Sequence, residues 1–277
     1  MFRGKSEFVA FVMLLSGLMA SGAGATPILL GNDFDGTLYD VDPTTGGVSN
    51  PRDTGIPWLC GIEFGADGTL YGLSADDYLY QIDPPTGVSV PIGHTGIDVT
   101  EGGLAFDVAT SVMYGAQAFE DDLLYTINLT TGAAEVVGAV GTNDLSGLAF
   151  DGSGTLYGID RIPLAYDSLI TINKTNGSVE TTTPIDLPTG VLLGMDFDPD
   201  SGELFIADGT GAPPFPPLPD GGVLYTVNTT SGALTPIGPT GLDLGLAGLV
   251  FTPEPTTLTL LALGGYAVTR RRGGRCR

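Results

Sequence analysis

Basic side chains are scarce in this sequence, and what is missing narrows its chemistry. Its 277 residues hold ten Lys and Arg against 32 Asp and Glu, with one His, two Cys and one Trp. A lone His94 leaves no second imidazole for a His-based metal cage, and any Ser-His-Asp triad would depend on it. No G-x-S-x-G context accompanies it between residues 26 and 252. Between Thr26 and Thr252 the only bases are Arg52, Arg161 and Lys174, set against 30 acids, a net of −27. Phosphorylated or carboxylate substrates find little there to hold them. Such a charge repels nucleic acid and anionic lipid, so both are excluded as partners. Cysteine offers no staple, because Cys276 lies in the basic tail and leaves Cys60 without a mate. The setting Trp58-Leu59-Cys60-Gly61 makes Cys60 a buried small hydrophobe. Long apolar runs are also missing. The two that occur, Phe8–Met19 and Leu258–Val268, fall short of the ~20 residues a spanning helix needs.

Each short run belongs to a recognisable terminal segment. Arg3 and Lys5 precede Phe8–Met19, and Ala23-Gly24-Ala25 follows as a small-x-small cleavage site, so residues 1–25 read as a secretory signal peptide. At the other end, Pro253, Glu254 and Pro255 precede Leu258–Val268. A basic cluster with Arg270, Arg271 and Arg272, then Arg275 and Arg277, closes the chain and would hold that end at a cytoplasmic membrane face. This P-E-P, apolar and Arg-rich order over residues 253–277 resembles the PEP-CTERM sorting signal of exopolysaccharide-producing Gram-negative bacteria. The resemblance implies an exosortase-type transpeptidase at the inner membrane as partner. It also implies tethering there before processing, then a place at the cell surface or outside. A plain membrane-tethering tail is the alternative.

Glycine (43) and proline (20) are abundant, as many short strands joined by tight turns require. One phrase, L-Y-x-I-[DN]-x-x-x-G or a close variant, recurs at Leu38–Gly46, Leu79–Gly87, Leu124–Gly132, Leu169–Gly177 and Leu224–Gly232. Its alternation predicts a strand, its Asp or Asn an Asx-turn, and its Gly the positive φ that ends the turn. A second phrase, G-[LIM]-x-F, opens at Gly61, Gly103, Gly147, Gly194 and Gly248, at intervals of 42, 44, 47 and 54 residues. A period in the forties built of strands matches a four-stranded propeller blade.

The expected fold is therefore all-β, a five-bladed β-propeller spanning residues 26–252. Its blades fall near 27–57 plus 248–251, 58–101, 102–146, 147–191 and 192–247. The first unit lacks an inner strand and Gly248–Phe251 is a spare one, so pairing the two closes the ring and removes exposed edges. An open β-solenoid is the runner-up. The repeats resemble secreted bacterial propellers of the DUF4394-like and YVTN/NHL-like groups, a resemblance that speaks to fold more than activity.

Candidate sites lie where the repeats differ. The loops joining second to third strands carry Asp76, Asp77, Glu120, Asp121, Asp122, Asp160, Asp167, Asp208 and Asp220, a candidate cation or ligand face for Ca2+. A solvated rim is the competing explanation. Two runs imitate calcium loops, Asn32–Gly36 and Asp196–Asp200. Both depart from the EF-hand pattern and are expected to be hairpin turns like Asp67-Gly68 and Asp151-Gly152. His94 aligns with Thr54, Ala139 and Pro239, which assigns it no special role. The long Pro-rich loop Gly209–Gly222 presents Phe215 and Leu218, a candidate partner loop or a tolerated insertion. The sequons at Asn128, Asn173, Asn176 and Asn228 follow from turn geometry.

The functional expectation is a non-enzymatic binding or structural module of the envelope or exopolysaccharide matrix, monomeric, with polysaccharide or a surface protein as partner. The alternative is an extracellular polysaccharide hydrolase or lyase using a carboxylate pair, which needs only two acids at suitable separation.

Overall fold

The computed structural model describes residues 27–118, 122–161, 167–185, 192–209 and 222–253. Within them the chain forms twenty strands in five antiparallel four-stranded sheets. The first blade runs β20–β1–β2–β3, from β1 (Leu29–Asn32), β2 (Thr37–Val41), β3 (Val48–Asp53) and β20 (Gly248–Phe251). The second holds β4 (Leu59–Phe64), β5 (Leu70–Ser74), β6 (Tyr78–Ile82) and β7 (Ser89–His94). The third holds β8 (Leu104–Asp107), β9 (Val112–Ala116), β10 (Leu123–Ile127) and β11 (Ala134–Ala139). In the fourth are β12 (Leu145–Phe150), β13 (Leu156–Asp160), β14 (Ser168–Ile172) and β15 (Val179–Pro184). The fifth has β16 (Leu192–Phe197), β17 (Leu204–Gly209), β18 (Val223–Val227) and β19 (Leu234–Pro239).

The architecture is the five-bladed propeller that the repeats imply. Its seam lies where expected, with Leu29 opposite Phe251 and Asn32 opposite Gly248. Ile28 and Thr252 extend the seam, since the Thr252 N–H donates to the Ile28 carbonyl at 2.8 Å. The outer strands, which the repeat pattern places near 88–92, 134–137, 178–182 and 233–237, each end two residues later. In every blade a register shift inserts an extra residue between third and outer strand, as between Leu79 and Tyr80.

The two repeated phrases meet between blades. The Phe of each G-[LIM]-x-F packs on the second strand of the preceding blade. Tyr114 meets Phe150, Tyr157 meets Phe197 and Phe205 meets Phe251, with ring centroids 5.2–5.6 Å apart. Leu30 shares a cluster with Phe64, and Tyr71 with Phe106, which completes the ring. The Gly of the same phrase faces the next inner strand at the propeller axis. A Cβ on Gly103 would lie 2.6 Å from the Leu148 nitrogen, and one on Gly248 would lie 3.0 Å from the Ile62 nitrogen. Backbone against backbone closes the middle of the axis.

The L-Y-x-I phrase is the third strand, as predicted, and its turn does two jobs. The turn glycine has φ between 74° and 81° in all five blades, and its N–H reaches the Asp or Asn carbonyl at 2.8 Å each time. It also docks on the preceding blade's outer strand, where a Cβ on Gly132 would meet the Gly93 oxygen at 2.4 Å.

Candidate functional site

The loops joining second to third strands do share one face, and Asp76, Asp77, Asp122, Asp160, Asp167 and Asp208 all lie there. Most are occupied by their own turns. Asp76 accepts the Tyr78 N–H at 3.1 Å and the Tyr80 hydroxyl at 2.7 Å. Asp33 repeats this in the first blade, with the Thr37 N–H and the Tyr39 hydroxyl. The Asn32–Gly36 run is thus the counterpart of Asp76-Asp77 and lies on the opposite face from Asp67-Gly68 and Asp151-Gly152. The sequence alignment misplaces it because the first blade enters at its second strand.

Two members of the acidic set hold a backbone position that favours glycine. Asp77 and Asp122 have φ of 68° and 45°, and the same place in other blades is filled by Gly36 and Gly222. Their carboxylates accept the N–H of Val99 at 2.6 Å and of Leu145 at 3.3 Å, which ties down the chain entering the next blade. Asp160 accepts the Asn143 N–H at 2.9 Å, and Asp208 accepts the Val223 N–H. The Asp167 carbonyl accepts the Ile185 N–H at 2.8 Å.

Three of these acids are brought together at the junction of the third and fourth blades. Burial pushes Asp144 up to about 6; Arg161 opposes the shift, and Asp122, Asp160 and Asp167 add to it. Arg161 Nη1 bonds Asp144 Oδ2 at 3.1 Å. Nearby Glu101 is buried and pushed up to about 8, by desolvation first and then by Asp144. Sequence reasoning named neither Glu101 nor Asp144. Among the described residues, no three Asp, Glu, His or Cys side chains are placed to hold a metal ion.

The clearest concavity lies on the opposite face, where the inner strands of all five blades end. It is a recess of about 710 Å3 at the propeller axis, within the range of small-molecule sites. Its wall includes Phe64, Phe106, Phe150, Phe197 and Phe251, one from each blade, with Val108, Pro199 and Pro253 nearer the rim. Two carboxyls, Glu63 and Asp196, also line it. They occupy the third position of G-[LIM]-x-F, where the other blades have Ala105, Ala149 and Val250.

The two acids bridge adjacent inner strands. Asp196 accepts the Phe197 N–H at 2.8 Å with one oxygen and, with the other, the Phe251 N–H of the next blade at 2.7 Å. Glu63 accepts the Phe64 N–H at 2.6 Å and also the Phe106 N–H of the next blade. Between them they serve four of the five Phe amides at the axis. At Phe150 the corresponding positions are Ala105 and Ala149, which have no side-chain oxygen to offer.

Both carboxyls keep some accessible surface, yet dense protein around them strips away most water, as at the floor of a deep recess. Desolvation pushes Asp196 up to about 7, against the pull of the two N–H donors. Desolvation and then the charge of Asp196 push Glu63 well above the usual carboxylate range. Among the lining residues there is no Lys, Arg or His. Lys174, the base placed nearest by its contacts, is bonded to Asp107 and lies over the Phe150 ring at 5.4 Å.

Sequence reasoning passed over this pair. It assigned Asp196 to a turn, whereas Asp196 lies in β16 and the turn runs from Asp198 to Gly202, whose N–H reaches the Asp198 carbonyl at 2.8 Å. The available signal was two acids at a repeat position otherwise held by Ala or Val.

Other sequence candidates are peripheral. His94 ends β7, half-exposed, with Nδ1 accepting the Gly96 N–H at 2.9 Å. Its counterpart in the first blade is Asp53 by register, one residue before the aligned Thr54. Cys60 is fully buried, and burial raises its thiol far from reactivity. Asn128, Asn173 and Asn228 each cap their own turn through Oδ1. Glu120, Asp121, Asp220, Phe215, Leu218, Glu254, Pro255, Arg270, Arg271 and Arg272 lie outside the described residues.

No protein-family model matches this chain, and no curated protein matches it in sequence. Solved structures do resemble it in shape. A chain of a nidogen–laminin complex superposes with a TM-score of 0.54 at 13% identity, covering 83% of this chain and 99% of that one. The hydrazine synthase of Kuenenia stuttgartiensis gives 0.47 at 16% identity, covering 80% and 69%. A protein of unknown function from Bacteroides thetaiotaomicron gives 0.46 at 14% identity, covering 74% and 49%. At 13% identity the likeness to the nidogen–laminin chain speaks for the propeller scaffold alone.

Proposed function

We propose that this chain is an exported, non-enzymatic binding module of the cell envelope or exopolysaccharide matrix, and that the axial recess is where it binds. The recess carries this reading: five blades build one wall around it, and its acids are engaged as backbone acceptors. The terminal segments supply the address. Residues 1–25 act as the export signal, and residues 253–277 as a PEP-CTERM-type signal handled by an exosortase-type transpeptidase. The paired seam supports a common address, since Ile28 and Thr252, the ends of the propeller from which both segments extend, lie beside one another, and Pro253 lies in the recess wall. Two experiments test the reading. Purified full-length protein should bind matrix polysaccharide from an exopolysaccharide-producing host in a sedimentation assay. Deleting Leu258–Arg277 should change the fraction in which the protein is found. Identical fractionation of both forms would remove the sorting part, and no retention on polysaccharide the binding part.

One observation favours the alternative, a polysaccharide hydrolase or lyase. Glu63 and Asp196 are close enough to influence each other's charge, and Asp196 titrates near neutrality, as a general acid must. Turnover of matrix polysaccharide that disappears in Glu63→Gln and Asp196→Asn would establish the enzyme and displace the binding module.

A further inference from the structure

The two axial carboxyls do more than satisfy backbone amides. A carboxylate has about four lone-pair directions, and the bonds to Phe amides use one on each oxygen of Asp196. Three blades manage this inner-strand position with Ala105, Ala149 and Val250, so closing the ring does not itself require acid. Both acids line the same recess, and the charge of one opposes ionisation of the other. No basic side chain is among the lining residues to relieve that opposition, and Asp151 and Asp198 add further acid to the lining, while Asp107 is paired with Lys174. Two carboxyls lining one poorly solvated recess, each feeling little water, attract a positive charge from outside. The surrounding Phe residues and Val108 favour a ligand with an apolar face over a bare, strongly hydrated ion. The volume of about 710 Å3 accommodates a ring-sized ligand.

We infer that the axial recess binds a sugar residue bearing a free primary amine, with its ammonium group set between the Glu63 and Asp196 carboxyls. The ring's apolar face lies against the Phe wall, and its hydroxyls meet the polar rim. This rests on the matrix-binding reading above and adds the ligand class to it: a partly deacetylated amino-sugar polymer in place of a neutral or acidic one.

The test is calorimetry on the purified full-length chain with four probes of known structure: glucosamine oligomers, their N-acetylated counterparts, glucose oligomers and 1,4-diaminobutane. Glucosamine oligomers should bind at least tenfold more tightly than the acetylated or neutral oligomers, and added salt should weaken them. Glu63→Gln with Asp196→Asn should abolish that preference. If this double variant does not fold, Val108→Trp is the substitute. Val108 is 64% exposed at the recess wall, so a bulky ring there narrows the mouth without entering the core, and it too should abolish binding. Unchanged binding in Val108→Trp would overturn the site. Equal binding of all three oligomers would overturn the amine inference and leave the matrix reading standing. Binding of 1,4-diaminobutane alone would overturn the sugar and matrix readings and keep a cation site. No binding of any probe would overturn the inference, while retention on whole matrix polysaccharide would separate that failure from failure of the matrix reading.

Discussion

The two faces of the propeller use acid differently. On the face of the second-to-third-strand loops, Asp33, Asp76, Asp77 and Asp122 each accept an N–H from a turn or from the chain entering the next blade. Acid recurs there because Asp is suited to such turns. At the axial recess the acids sit inside strands, at a position where three blades use Ala or Val, and they bridge neighbouring blades. High acid density marks turn chemistry on one face, while two acids in an apolar repeat position mark the candidate site on the other.

Substitutions can break this contrast, and the largest effect is expected where the two faces meet. Gly103→Val would drive a side chain into the Leu148 nitrogen and Gly147 backbone, neither of which can retreat. The cost should exceed the ~3 kcal/mol of ordinary overpacking, and the variant should show no cooperative thermal transition. A normal melt would mean that the axis is looser than its geometry.

Arg161→Met tests the loop face at a buried ion pair. Removing the guanidinium leaves Asp144 uncompensated, and chemical denaturation at pH 8 should show a loss of about 3–5 kcal/mol. Because burial already raises Asp144 to about 6, its protonation below that pH should shrink the loss. A loss independent of pH would assign the effect to packing by the Arg stem.

Asp196→Asn tests the axial pair. The folded pKa of Asp196 is raised from 3.8 to about 7, so the folded state holds a proton that the unfolded state gives up. The resulting stability is fully present below about pH 4 and is lost as pH rises through about 7. Wild-type protein should lose about 1–3 kcal/mol across this window from the axial pair, and the variant should show a flatter pH profile. An unchanged slope would remove Asp196 as its source.

Asp77→Ala should cost about 1–2 kcal/mol, because φ of 68° is strained for alanine and the Val99 N–H loses its acceptor. Asp77→Gly should cost roughly half as much, since Gly36 and Gly222 hold the same place. Equal costs would show that the lost hydrogen bond, and not φ, decides the position. The smallest effect is expected from calcium. With the described acids of the loop face engaged in their turns, EDTA followed by Ca2+ should shift Tm by less than about 1 °C. A rise of several degrees would mean that the face gathers an ion.

The fold was legible because its information is local and repeated. Leu-Tyr alternation, Asx-turn residues and turn glycines each act over a few positions, and five copies average out the exceptions. Even the seam could be inferred, since one unit lacked the strand that Gly248–Phe251 had to spare. The outer-strand lengths were less legible, because the register shift in each blade depends on how two strands twist together. The recess was not legible as a site. Glu63 and Asp196 are more than 130 residues apart in a chain with 32 acids, and only their place in the G-[LIM]-x-F phrase, set against Ala105, Ala149 and Val250, separates them from turn acids.

By itself the sequence determined the strand menu, the blade count and the closure of the ring, because these follow from short-range alternation, turn chemistry and counting. Only the tertiary structure decided which acids meet. Ring closure carries Glu63 and Asp196 to one axis, strips their solvent and sets each charge against the other. It leaves Asp76 and Asp77 in their own loop, bonded to their own surroundings. Pairing and desolvation are properties of distance and surroundings in space, and a repeat can specify them only after it has closed.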